Sequence, residues 1–263
     1  LGNLYHLLRE EKMAKIPVGV QLYSVRDDCA RDLPGTLAQI SKMGYTGVEF
    51  AGYHGYKAAD LHRILDDLGL KASGAHIGVD QLMGDTLPKT AEFHLTLGNK
   101  YLLVPGLPAE YRNSARAWLA TAEMFNSFAG RLKPYGLQVG YHNHDEEFHK
   151  LEGQIPFDLF FGHTTPDVIM QLDIHHVIYG GGDPLACLKR YPGRAVTLHL
   201  SDYLPGDQVV LLGDGQAPWK EIFDLVDDQG RTAWYIVEQE RYPVSPLDSI
   251  AACLDGMRRM GKA

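Results

Sequence analysis

A chain of 263 residues, 45% of them hydrophobic, is long enough for a full core and fits one large α/β domain better than two small ones. Its formal net charge of −8 argues against a nucleic-acid backbone or an anionic membrane surface as partner, because both require a basic face. Cys29, Cys187 and Cys253 are far apart and form no C-x-x-C pair, so they read as reduced thiols, and no run approaches the roughly 20 apolar residues of a membrane span.

Residues 1–16 read as an N-terminal arm or as a remnant of cloning or of a processed leader. Leu1 to Lys15 is too charged for a signal-peptide core, and Met13 directly precedes the first strand. The expected location is cytoplasmic, with the periplasm as the alternative if a leader was removed. Residues 17–263 form the domain proper.

From Pro17 onward the chain alternates between short apolar runs and stretches of helical period. In order, the pattern predicts strand Val18–Tyr23, helix Leu33–Met43, strand Gly47–Phe50, helix Lys57–Leu68, strand Lys71–His76 and helix Leu87–Leu97. Strand Tyr101–Val104 precedes the longest helix, Arg112–Leu132, and strand Leu137–Asn143 precedes a weak one, Phe157–Phe161. Then come strand Val168–Asp173, helix Pro184–Lys189, strand Ala195–Leu200, helix Pro218–Asp228, strand Trp234–Val237 and helix Pro246–Met260. Gly44, Gly69, Gly98, Gly136 and Gly230 follow helices where a left-handed C-cap is needed, and Pro34, Pro184, Pro218 and Pro246 sit where a first helical turn tolerates proline. Eight strand–helix units predict a parallel sheet with right-handed crossovers, closed into a single (β/α)8 barrel. An open doubly wound sheet is the alternative. Against it, the loop after the first strand reads Tyr23-Ser24-Val25-Arg26-Asp27-Asp28, with no Gly-x-Gly-x-x-Gly.

Four runs in the second half end on good metal ligands: Val139–His142, Val168–Asp173, Ala195–His199 and Trp234–Glu238. In a closed barrel the carboxyl ends of all strands meet at one mouth. His142, Asp173, His199 and Glu238 are therefore expected to converge on one divalent cation, in a mixed nitrogen and oxygen set. Taken singly, each has another reading: a hydrogen-bonded core histidine, a salt bridge, or a helix N-cap at Asp173. Glu49 and His76 end the second and third strands. His144 shares a strand face with His142, and His176 lies one helical turn beyond Asp173. Glu49, His76, Tyr23 and Trp219 are the expected substrate contacts, and Tyr53, Tyr141 and Tyr203 are further aromatic candidates or plain packing. Gly213-Asp214-Gly215 before Pro218 is either a phosphate-binding turn or an ordinary loop, the latter favoured. Gly180-Gly181-Gly182 reads as a flexible loop over the site. His54, His62, His94, His149 and His163 read as loop or helix-surface residues.

The strings Val20-Gln21-Leu22-Tyr23-Ser24-Val25-Arg26-Asp27, Gly47-Val48-Glu49-Phe50, Gly140-Tyr141-His142-Asn143-His144-Asp145, Gln171-Leu172-Asp173-Ile174 and Tyr235-Ile236-Val237-Glu238-Gln239 resemble the sugar phosphate isomerase/epimerase group of xylose isomerase-like barrels. That group includes ketose 3-epimerases, inosose dehydratases and enzymes acting on 3-keto-glycosides. The resemblance runs from Pro17 to the end. It implies one divalent ion, manganese first, with zinc, cobalt, magnesium or iron(II) as alternatives, held by His142, Asp173, His199 and Glu238. Where the epimerases carry a ligand glutamate that also moves a proton, this chain has His142; where many relatives carry His-x-Lys-Asp, it has His199-Leu200-Ser201-Asp202. The implied activity is isomerisation or epimerisation of a sugar or keto-sugar through a cation-stabilised enediolate, with Glu238, His144 and His176 moving protons. A lyase or hydratase acting on an inosose or 3-keto-glycoside is the alternative. An endonuclease IV-like nuclease and a non-catalytic sugar-binding barrel are weaker alternatives. Homo-oligomerisation is left open.

Overall fold

The computed structural model describes residues 15–206 and 208–263. Most of the expected N-terminal arm lies outside the described residues. Eight parallel strands close into a barrel in strictly sequential order: β1 Val18–Gln21, β2 Gly47–Ala51, β3 Lys71–His76, β4 Tyr101–Val104, β5 Gln138–His142, β6 Ile169–Asp173, β7 Thr197–Leu200 and β8 Trp234–Val237. β8 pairs with β1 through Gly19 and Ile236, which closes the sheet and removes its edges.

Outside the strands lie α1 Arg26–Met43, α2 Ala58–Asp67, α3 Thr86–Leu97, α4 Ala115–Leu132, α5 Pro156–Phe161, α6 Ile174–Tyr179, α7 Pro184–Arg190, α8 Trp219–Gln229 and α9 Pro246–Arg259. No helix among the described residues is long and apolar enough to cross a membrane. Three helices depart from the sequence pattern. α1 starts seven residues earlier than expected because two segments run together across a break at Asp32, whose φ of −157° and ψ of 87° are extended. Asp32 Oδ1 accepts from the Gly35 amide, so the predicted start at Leu33 is the real start of the second segment. α4 begins only after Ser114, which caps the Ala117 amide at 3.1 Å, and it is no longer than α1. α6 is a six-residue helix that no apolar period announced. The five predicted C-cap glycines all have positive φ, from 62° to 107°.

The strand period of two sorts the side chains. Outward residues such as Val20, Val48, Phe50, Leu102, Tyr141, Leu172, Leu198 and Val237 belong to the main core under the helices. Inward residues form two tiers. The lower tier is apolar: Tyr101, Leu103 and Ile169 pack with Val196 and Trp234. A Cβ at Gly47 would sit 2.7 Å from the Trp234 ring, so glycine there is what lets the indole lie inside the barrel. The upper tier is polar and buried: Gln21, Glu49, His142, Gln171, Asp173, Thr197, His199 and Glu238. An apolar plug beneath a polar tier confines the chemistry to the carboxyl-end mouth.

Candidate metal and substrate site

His142 and Asp173 are the last residues of β5 and β6, His199 is the third of β7, and Glu238 follows β8 directly. One ligand atom from each lies within 4.8 Å of the others, and all four residues are buried. His199 Nδ1 stands 2.8 Å from Glu238 Oε2 and 4.0 Å from Asp173 Oδ2, and His142 Nε2 stands 4.0 Å from Glu238 Oε2. The structure thus brings together all four residues of the expected constellation. Asp173 also fills its other reading: Oδ1 caps α6 by accepting the His176 amide at 2.8 Å. Its Oδ2 and His142 Nδ1 are buried with no hydrogen-bond partner among the described residues. Unpartnered buried polar atoms are costly, and a carboxylate oxygen left so in a cluster of two imidazoles and two carboxylates fits a divalent cation.

The electrostatics divide the two imidazoles. Burial, reinforced by the neighbouring His199 and His76, pushes His142 well below the usual histidine range, so it stands as the neutral imidazole a cation requires. Burial also opposes charge on His199, but Glu49 and Glu238 outweigh it and raise its pKa to about 10, so without a cation His199 is the charged imidazolium and a bound ion would have to displace the Nδ1 proton. Burial favours protonation of Glu238, yet His199 keeps it ionised below the usual carboxylate range.

A cavity of about 470 Å³ opens over the cluster, lined in part by Tyr23, His76, His142, His144, Glu238 and Glu240. Its size lies within the ~300–1,000 Å³ typical of small-molecule sites. Tyr23 is 43% exposed at its rim, with the Arg26 guanidinium 4.5 Å above its ring. His144 and His176 face each other with ring centroids 4.7 Å apart. The turn that presents His144 is fixed by Glu147, which accepts the His144 amide at 2.6 Å and the Tyr141 hydroxyl at 2.7 Å. Burial, together with His176, lowers the His144 pKa, leaving a neutral imidazole able to accept a proton.

Several expectations are corrected. Trp219 does not reach the cavity. It is buried against Phe223, and its indole N–H donates to Asp202 Oδ2 at 2.8 Å. The amides of Gly213 and Gly215 donate to the same carboxylate, at 2.8 and 3.1 Å, which fits the favoured reading of this turn as an ordinary loop. Glu49 is buried beneath the cavity and cannot contact a ligand in it; its neighbours are His199, His76, Gln21 and Gln171. Tyr141 is barrel packing. His94, read from the sequence as a surface residue, is buried between Tyr53 and Asn99, and burial drops its pKa to about 4. The sequence reading missed Glu240, whose Oε2 lies 3.9 Å from His176 Nε2. It follows Glu238 by two residues in a loop, where no strand period marks it.

A family profile described as "Xylose isomerase-like TIM barrel" matches residues 37–260. The chain is 24% identical over 249 residues to an inosose dehydratase of Erwinia tasmaniensis, covering 79% of this chain and 82% of the relative. It is 26% identical over 247 residues to an inosose dehydratase of Klebsiella pneumoniae, with the same two coverages. Among solved structures, a sugar phosphate isomerase/epimerase from Parabacteroides distasonis superposes with a TM-score of 0.78 at 25% identity, covering 94% of this chain and 98% of the other. With the closed eight-strand barrel, these likenesses place the protein among enzymes of this fold: the chain belongs to the xylose isomerase-like TIM barrel family.

Proposed function

We propose that this protein is a divalent-cation-dependent enzyme that moves a proton at the carbon beside a carbonyl of a sugar or keto-sugar. The observation that carries the reading is the convergence of four buried residues, His142, Asp173, His199 and Glu238, with Asp173 Oδ2 unpartnered, beside a sugar-sized cavity that His142 and Glu238 line. A cation held by these four would polarise a carbonyl and stabilise an enediolate. The protein's own groups do the rest. Glu238 and His144 both line the cavity, and His176 stands beside His144 with ring centroids 4.7 Å apart, so the two imidazoles are the candidates for the second proton transfer. Tyr23 gives the sugar an apolar face at the rim, and His76 a polar wall. Manganese is the expected ion.

A second reading is favoured by two observations: the two curated relatives named above are inosose dehydratases, and the strand-five position is the neutral His142. On this reading the proton is returned to a departing hydroxyl, and the reaction is an elimination on an inosose or 3-keto-glycoside. Elemental analysis followed by a keto-sugar panel in heavy water tests both. Deuterium incorporation without loss of substrate mass supports isomerase or epimerase chemistry, and a new conjugated-carbonyl absorbance supports the lyase. Full turnover by rigorously cation-free protein would falsify the proposal.

A further inference from the structure

We propose that Glu49 is a positioning residue for the cation site: it holds His199 with Nε2–H directed at itself, so that Nδ1 is left to bind the ion. The inference rests on the cation reading of His142, Asp173, His199 and Glu238.

The geometry is specific. His199 Nε2 lies 2.6 Å from Glu49 Oε2, while Nδ1 faces Glu238 and Asp173. The two ring nitrogens therefore serve opposite sides. Glu49 comes from β2, across the barrel and 150 positions away in sequence from His199. Its carboxylate is fully buried, and an isolated buried charge is very costly. The chain surrounds it with donors from three other strands, Gln21 Nε2 at 2.8 Å, Gln171 Nε2 at 2.8 Å and His199 Nε2, and with His76 on a fourth, whose Nε2 lies 3.1 Å away while hydrogen-bonded to Gln171 Oε1 at 2.8 Å. Gln171 is itself fixed by donating to Thr197 Oγ1 at 3.0 Å.

Two backbone features make room for it. The β2–β3 pairing slips between Val48 and Glu49, so that Glu49 pairs with Gly74 rather than Ser73. At Gly74, an added Cβ would overlap the Glu49 carboxylate. A carboxylate placed behind a ligating imidazole fixes the tautomer and strengthens the ligand, and its loss typically costs about 10- to 100-fold in metal affinity.

The test is titration of the whole protein with Co²⁺ alone against a chromophoric chelator, for the parent and for Glu49→Gln, with the cobalt d–d spectrum recorded. The substitution keeps the shape of the side chain and removes its charge. The expected result is tight binding by the parent, at least a tenfold weaker constant for the variant with a changed spectrum, and a partial recovery in Glu49→Asp. Equal affinity and identical spectra in parent and variant overturn the role of Glu49 and leave the cation site standing. A parent that binds no Co²⁺ overturns the site reading as well. Should Glu49→Gln not fold, ¹⁵N shifts of His199 in the zinc-loaded parent decide. A protonated Nε2 with a ligated Nδ1 is expected, and the opposite tautomer refutes the inference.

Discussion

Asp173 divides its two oxygens between His176 and the site: Oδ1 accepts the His176 amide at 2.8 Å, and Oδ2 is buried without a partner beside His142, His199 and Glu238. One side chain thus ends a strand, starts a helix and supplies a candidate ligand. The same bond places His176 opposite His144.

The two roles separate by substitution. Asp173→Asn keeps an oxygen for the His176 amide and removes the charge, whereas Asp173→Ala removes both. Both variants are expected to lose the bound cation and turnover, read by elemental analysis. Only Asp173→Ala is expected to lose the cap as well, worth about 0.5–2 kcal/mol, read by urea denaturation of the cation-free proteins. Retention of a stoichiometric ion by Asp173→Ala removes the residue from the ligand set.

His144→Gln and His176→Gln probe the proton movers. Neither residue is among the four proposed ligands, so cation content is expected to stay unchanged while kcat falls about 10²- to 10⁴-fold in at least one of them. The check is the rate of solvent deuterium incorporation into a turned-over keto-sugar. If both variants exchange at the parent rate, the second proton-transfer group lies elsewhere, with Glu240 the next residue to test.

Trp219→Phe separates packing from recognition. The indole donates to Asp202, which also accepts the amides of Tyr203, Gly213, Gly215 and Ala217, so the loop after β7 is organised around one carboxylate. Losing that donor is expected to destabilise the protein by about 1–3 kcal/mol and leave KM within a factor of two. A large rise in KM with unchanged stability would restore Trp219 as a substrate contact.

Glu147 gives a pH dependence with a defined sign. Burial raises its pKa from 4.5 to about 7, against the opposing hydrogen bonds from Tyr141 and the His144 amide. The folded state therefore binds more protons than the unfolded state between these values. The contribution is fully present below about 4.5 and is lost as pH rises through about 7, by up to on the order of 3 kcal/mol. Glu147→Gln is expected to become progressively more stable than the parent across that window. Parallel stability curves from pH 4.5 to 8 would contradict it.

The sequence alone determined the barrel, because its evidence is local. Most strands show as apolar runs, five left-handed glycines mark the turns out of helical segments, and each mouth-facing ligand is the polar residue that stops a run. His142, Asp173, His199 and Glu238 were legible because they end consecutive strands, and neighbours in this chain order are neighbours in the sheet. The partners of individual side chains were decided by the tertiary structure. Glu49 looked like a residue for substrate until closure of the sheet set it under His199, and Trp219 looked like a platform until Asp202 claimed its N–H. His94 lies buried beside Tyr53. Periodicity tells which way a side chain points, whereas its partner depends on which other segments the folded barrel brings beside it.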